Sequence, residues 1–249
     1  MAILMFFRRL LSNFALKISK VNMKIAIISA MEKERALMLP MLQNVSEKEI
    51  EGLKIWEGTI GEHNIMLAQC GIGKVNAAIN TLKVIRGFHP DLLINTGVAG
   101  GTSMRTEIGD VLVADFVAYH DVWCGPGTQP GVADGMDVFM CCDSKIIDSA
   151  YKFMEGKRLQ VGLICCGDRF ISEKGEVDNI LSLFPEAIAV DMESAAIAQV
   201  CTMENVKFNI IRVISDTPGS GRNMEQYKNF WKDAPEKTFS LVEAIIINI

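Results

Sequence analysis

The chain has 249 residues, 49% of them hydrophobic and 22% charged, which suits one α/β domain or two small ones with a sizeable core. A net charge of −5 lacks the basic excess that non-specific nucleic-acid binding needs, so the expected partner is a small molecule and not DNA or RNA. The seven Cys include two adjacent pairs and no C-x-x-C, and the three His are scattered, so no metal site is expected; reduced thiols and a cytoplasmic location are.

The first 22 residues, MAILMFFRRLLSNFALKISKVN, are apolar and basic with no acid. Arg8 and Arg9 leave the apolar run too short to span a bilayer. They also follow that run, whereas a signal peptide places its basic residues first. The segment reads as an extension upstream of a start at Met23, or as an interfacial helix. A single domain is expected over 23–249, with no membrane partner.

From Met23 the pattern becomes regular. KIAIIS (24–29) is a β-branched run that predicts a buried strand. MEKERALMLPML (31–42) has helical character, broken at Pro40, and its Met residues read as core. LKIWEGTIGEHNIMLAQCG (53–71) predicts a hairpin around Gly61, and GKVNAAINTLKVIRGF (73–88) an amphipathic helix opened by glycines. DLLINTGVAGG (91–101) is a strand running into a Gly-rich turn. DVLVADFVAYH (110–120) is another strand, and VWCGPGTQPGVADGMD (122–137) a long loop. Then come a helix around 144–155, a strand at 160–168, a helix near 173–184, the strand AIAVD (187–191) and a helix from Glu193. The strand KFNIIRVISD (207–216) and one helix over roughly 223–247 end the chain. Strands alternating with helices predict a three-layer α/β fold with a mixed central β-sheet flanked by helices. Ligands of such sheets bind at the carboxyl ends of strands. Four strands here end in polar or glycine residues, SAMEKE, NTGVAGG, VDMES and ISDTPG, and those ends are expected to converge.

Acids stand at these ends: Glu34, Asp191, Glu193 and Asp216. Arg212 lies inside the last strand, and period-2 alternation puts Arg212, Ile214 and Asp216 on one face. A guanidinium cannot lose its charge, so a buried Arg212 needs Glu34 or Asp191 as partner. Taken singly, each acid reads as a helix N-cap or a favourable charge near a helix dipole. Together, beside an arginine and two Gly-rich turns, they describe a site. GIGK (71–74) lacks the spacing of a phosphate loop and GVAGG (97–101) that of a dinucleotide fingerprint; both read as tight turns, with Lys74 a solvated charge. His120 with Asp121 is either a catalytic pair or a structural histidine.

In this order the chain carries MKIAIISAMEKE, GIGKVNAA, INTGVAGG, YHD, GDRFI, AVDMESAAIAQVC and VISD. As a set these resemble the 5′-methylthioadenosine/S-adenosylhomocysteine nucleosidases of the nucleoside phosphorylase superfamily, over nearly everything after Met23. The resemblance implies hydrolysis of the adenine–ribose bond of 5′-methylthioadenosine or S-adenosylhomocysteine, without metal or cofactor, in a homodimer. It assigns Glu34 as the base that orients water and Asp216 as the acid acting on N7. Glu193 grips the ribose 2′- and 3′-hydroxyls, with Met192 beside the sugar and Arg212 near the water and base. Phe170 stacks on adenine, Ile171 meets its edge through backbone groups, and Ala99, Gly100 and Ser215 line the pocket.

Some positions depart from that pattern. Val98 stands where many relatives have Ser, and Asp191 where many have Glu; Asp191 is expected to support the site from behind. The segment after Asp216 also differs: Gly219 and Gly221 would hinge a lid, with Tyr227 or Phe230 covering the 5′ group. Rival readings are a phosphorylase, a hydrolase of futalosine-type or 5′-deoxyadenosine substrates, and a non-catalytic nucleoside-binding protein. Phosphorylases of this fold resemble it but carry arginines where this chain has Glu34 and Asn95, and a glutamate would repel phosphate.

Overall fold

β-Branched and aliphatic runs become strands wherever both faces can be covered, and the computed structural model describes this for residues 22–102, 106–153, 158–233 and 239–249. The expected extension at 1–21 lies outside the described residues. Ten strands form one sheet: β1 (Lys24–Ser29), β2 (Gln43–Ile50), β3 (Leu53–Ile60), β4 (His63–Gln69), β5 (Leu92–Gly101), β6 (Val111–Tyr119), β7 (Met140–Cys141), β8 (Leu159–Cys166), β9 (Ala187–Asp191) and β10 (Lys207–Asp216). The helices are α1 (Glu32–Met38), α2 (Lys74–Phe88), α3 (Ser144–Phe153), α4 (Lys174–Leu183), α5 (Ser194–Met203), α6 (Asn223–Asp233) and α7 (Ser240–Asn248).

The sheet is mixed. β2, β3 and β4 form an antiparallel meander, and β4, β1 and β5 run parallel. β5 is the branch point. It pairs with β1 over Leu92–Asn95, with β10 in parallel along its length, and with β9 in antiparallel at Gly100 and Gly101. Because β9, β8, β6 and β10 also pair in sequence, five strands close on themselves.

Alternation along each strand divides the core between two helical layers. Ile25 and Ile27 of β1 pack with Met38 of α1 and with Leu241, Val242 and Ile245 of α7. Ala26 and Ile28 face the other way, toward Ala77, Val84 and Ile85 of α2 and Ala195, Ala196 and Ile197 of α5. Burying one such aliphatic side chain contributes about 1.5–3 kcal/mol. α4 packs Val177 and Ile180 on Leu163 and Cys165 of β8. All seven cysteines are free thiols, and among the described residues no helix is long and apolar enough to cross a membrane.

Four elements differ from the sequence expectation. β2 was not visible in QNVSEKEI because nearly every residue is exposed; its backbone pairing to β3 makes it a strand. GVAGG is not a turn but the end of β5, extended because β9 and β10 hold it on two sides. The expected helix over 223–247 is two helices, α6 and α7. The short β7 adds to the edge of β6 between the expected loop at 122–137 and α3, where no element was expected.

Candidate active site

The four polar strand ends do converge. β5 leaves β1 after Asn95 and joins β9 at Gly100, and the gap between them opens a pocket. It is lined by Ala30, Met31 and Glu34 after β1, Val98, Ala99 and Gly100 on β5, Arg169, Phe170 and Ile171 after β8, Val190, Asp191, Met192 and Glu193 at the end of β9, and Ser215, Asp216 and Pro218 at the end of β10, with Ile72 and Tyr227.

Glu34 sits in the first turn of α1, where a carboxylate favours the helix dipole. One oxygen accepts the N–H groups of Ala30 (3.0 Å) and Met31 (2.9 Å), and the other the N–H of Val98 (3.0 Å). It is thus a cap and a site residue at once. A Cβ on Gly97 would collide with this carboxylate, so the bare backbone there is what makes room for it. Glu34 is 2% exposed, and burial raises its pKa despite three N–H donors and the nearby Arg212.

Asp191 answers the question of which acid neutralises Arg212. Its Oδ2 receives Arg212 Nε (2.9 Å) and Nη2 (2.7 Å), and its Oδ1 receives the Ser194 hydroxyl (2.7 Å) and N–H (3.2 Å). Nη2 also reaches Asn95 Oδ1, and Asn95 donates to the Ile28 carbonyl (2.9 Å). Every guanidinium nitrogen is therefore committed behind the pocket, and Arg212 does not line it. Glu193, two residues on, turns the opposite way. Its Oε1 accepts the Gly73 N–H (2.9 Å), and burial, then the Asp191 charge, push its pKa up to about 7.

Asp216 closes β10. The register between β10 and β5 shifts between Ile214 and Asp216. That irregularity breaks the simple alternation expected from Arg212 to Asp216 and lets Asp216 face the pocket while Arg212 stays behind it. Asp216 accepts hydrogen bonds from the Ser215 hydroxyl (2.7 Å) and the Asn223 side chain, yet burial dominates and raises its pKa. Asn223 also donates to the Ile171 carbonyl (3.4 Å), tying the start of α6 to the segment that carries Phe170.

Phe170 and Tyr227 meet edge to face with centroids 5.8 Å apart, and the Tyr227 hydroxyl lies 3.4 Å from Met31 Sδ. Gly219 and Gly221 both have positive φ, +78° and +74°, just before α6. Of the two lid candidates, Tyr227 lines the pocket; Phe230 packs into the core beside α7. His120 is not on the pocket wall: it packs against Gly167, and burial lowers its pKa. Lys74 is not simply solvated, since its ammonium lies 2.8 Å from Asp121. Sequence reasoning missed Asn223 and the Gly73 N–H; neither belongs to a periodic pattern, and a backbone donor leaves no side-chain signature. Among the described residues, no group of three or more His, Cys, Asp or Glu is arranged to hold a metal ion.

The model of the Phosphorylase superfamily matches residues 24–247. A 5′-methylthioadenosine/S-adenosylhomocysteine nucleosidase of Anoxybacillus flavithermus is 37% identical over 228 residues, 90% of this chain and 98% of that one. The S-adenosylhomocysteine nucleosidase of Streptococcus pyogenes, solved in complex with 5-methylthiotubericidin, superposes with a TM-score of 0.88 at 32% identity, over 93% of this chain and 99% of that one. A futalosine hydrolase of Helicobacter pylori superposes with a TM-score of 0.85 at 25% identity, over 91% and 98% of the two chains.

Proposed function

The chain belongs to the 5′-methylthioadenosine/S-adenosylhomocysteine nucleosidase family of the phosphorylase superfamily, and from that premise we propose that it hydrolyses the adenine–ribose bond of 5′-methylthioadenosine and S-adenosylhomocysteine. The products are adenine and a free ribose that keeps its 5′ substituent. The observation that carries this reading is the meeting in one pocket of three buried carboxylates, Glu34, Glu193 and Asp216, beside a fourth, Asp191, that Arg212 neutralises. The cationic side chain among the described lining residues, Arg169, is largely exposed and paired with Glu176. Such a pocket suits a developing ribosyl cation and repels phosphate.

Each residue then has a task. The C1′–N9 bond breaks as the base leaves, and Asp216, whose pKa burial raises above the ordinary carboxylate value, gives a proton to N7. Water adds its oxygen to C1′ and passes a proton to Glu34, held in place by three backbone N–H groups. The Glu193 carboxylate accepts both ribose hydroxyls, and its charge favours the cation at C1′. Phe170 covers the adenine face, Ile171 its edge, and Met192, Ala99 and Gly100 the sugar. Val98 presents methyl groups, so orientation of the water rests on Glu34. Arg212 acts through Asp191, not on the substrate. Tyr227, Met31 and Ile72 surround the 5′ substituent.

Homodimer formation belongs to the same reading. Ile72, just before α2, and Val75 and Ile79, four residues apart in its first turns, are 51%, 67% and 52% exposed beside the pocket. That stripe is apolar surface for a second copy to cover. A cytoplasmic setting is supported by the seven unpaired thiols.

Release of free base from 5′-methylthioadenosine, S-adenosylhomocysteine and futalosine tests substrate class. Turnover of the first two is expected; release from futalosine alone would move the chain to the activity of the Helicobacter pylori neighbour.

A further inference from the structure

Three side chains that the reaction leaves unused tie the start of α2 to the ends of β6 and β8. Lys74 Nζ lies 2.8 Å from both carboxylate oxygens of Asp121, which follows β6. Asp121 Oδ2 also accepts the N–H of Asp168, after β8, at 2.8 Å. Asp168 returns the contact, because its Oδ1 accepts the Lys74 N–H at 2.7 Å. The circuit is closed: Lys74 to Asp121, Asp121 to Asp168, Asp168 back to Lys74.

This circuit borders the site through one atom. Lys74 N–H goes to Asp168, and the preceding amide, Gly73 N–H, goes to Glu193 Oε1. Two successive donors at the start of one helix thus hold two carboxylates carried by other strands. Gly73 has φ +91°, and a Cβ there would lie 3.1 Å from Asp168 Oδ1, so the turn is shaped around that carboxylate. The Lys74 side chain is only 21% exposed, and its ammonium also lies 5.3 Å over the Tyr119 ring, whose hydroxyl donates to Gln199 of α5 (2.7 Å). Asp121 and Asp168 are themselves exposed, so the circuit acts by fixing geometry and not through a buried charge.

We propose that Lys74, Asp121 and Asp168 are positioning residues for ribose recognition: they fix the Gly71–Lys74 turn so that the Gly73 N–H holds one Glu193 oxygen and leaves the other aimed at the 2′,3′-diol. The inference rests on the reading of Glu193 as the diol-binding carboxylate. A glutamate side chain has several freely rotating bonds, and a carboxylate oriented in advance does not lose that freedom when substrate arrives. A purely structural circuit would affect every ligand and the melting temperature alike. A positioning circuit affects ligands that carry ribose.

The test compares KM and kcat for 5′-methylthioadenosine with the inhibition constant of adenine, which lacks ribose. The variants are Asp168→Ala, Asp168→Asn, Lys74→Met, Glu193→Gln and the double variant Asp168→Ala/Glu193→Gln. Asp168→Ala is expected to raise KM about tenfold, as loss of one charge-assisted hydrogen bond would. Adenine inhibition stays within about twofold, and Asp168→Asn, which keeps an acceptor for the Lys74 N–H, recovers most of the loss. In the Glu193→Gln background, Asp168→Ala adds less than about twofold, because the two act through one contact. Equal shifts in KM and adenine inhibition, or full additivity with Glu193→Gln, would overturn the inference. If Glu193→Gln raises KM and Asp168→Ala does not, positioning fails while the diol reading stands. If Glu193→Gln leaves KM unchanged, the diol reading itself has failed. Should Asp168→Ala not fold, Lys74→Met removes only the ammonium and makes the same comparison.

Discussion

Glu193 shows how a single buried side chain links chemistry to stability. Burial and the neighbouring Asp191 raise its pKa from the ordinary 4.5 to about 7. Between those values the folded chain holds a proton that the unfolded chain has released, so this contribution to stability is complete below pH 4.5 and is lost as pH rises through 7. Glu34 and Asp216 are raised by burial too and act with the same sign. The melting temperature of the unliganded protein is therefore expected to gain from these groups as pH falls from 8 toward 5, and Glu193→Gln is expected to flatten the slope. Melting curves across that range decide it; a slope unchanged by the substitution would remove Glu193 as its source. The acids themselves were legible in the sequence, because charges at the ends of apolar strands demand partners. Their partners were less so. Either Glu34 or Asp191 satisfied the charge argument for Arg212, and only the geometry selects Asp191.

At the scale of elements, β5 decides where the site can be. Its first half pairs with β1 and its last residues with β9, and the carboxylate of Glu34 fills the space over Gly97 between them. Gly97→Ala would push that carboxylate aside while leaving the β5–β10 pairing in place. Since misplacing a reacting group by about 1 Å can cost on the order of a hundredfold, kcat is expected to fall about 10- to 100-fold with little change in KM, and the melting temperature to fall as well, because a displaced Glu34 carboxylate gives up the N–H groups of Ala30, Met31 and Val98. Steady-state kinetics beside a melting curve separate the outcomes; an unimpaired kcat would show that Glu34 has room to spare. β1, β9 and β10 were readable because dense β-branched runs have few other uses in a chain of this length. β2 was not, since its polar residues carry no alternation and its pairing with β3 is invisible along the chain. Strand glycines mimic a turn signal, which hid the end of β5, and the irregularity before Asp216 has no sequence mark at all.

For the whole molecule, the carboxyl ends of β5, β9 and β10 in the closed ring meet that of β1 beside it around one pocket, and α6 adds Tyr227 from outside the sheet. The layered fold and the convergence of those ends followed from strand–helix alternation. Closure of the ring did not, because it depends on β5 pairing with three strands. The exposed stripe at the start of α2 belongs to this scale as well. Sedimentation equilibrium at micromolar concentration is expected to give a dimer, and Ile79→Lys to shift it toward monomer; a monomeric wild type would leave that stripe unexplained.

In the proposed function, three buried carboxylates use water to split an adenine nucleoside. The most direct measurement is product analysis on 5′-methylthioadenosine in phosphate-free buffer, for the wild type and for Asp216→Asn. Adenine and free methylthioribose are expected from the wild type. The Asp216→Asn rate should be lower by roughly 10²- to 10⁴-fold, the usual contribution of a general acid. Turnover that requires phosphate and yields a ribose 1-phosphate, or an Asp216→Asn variant as fast as the wild type, would contradict it.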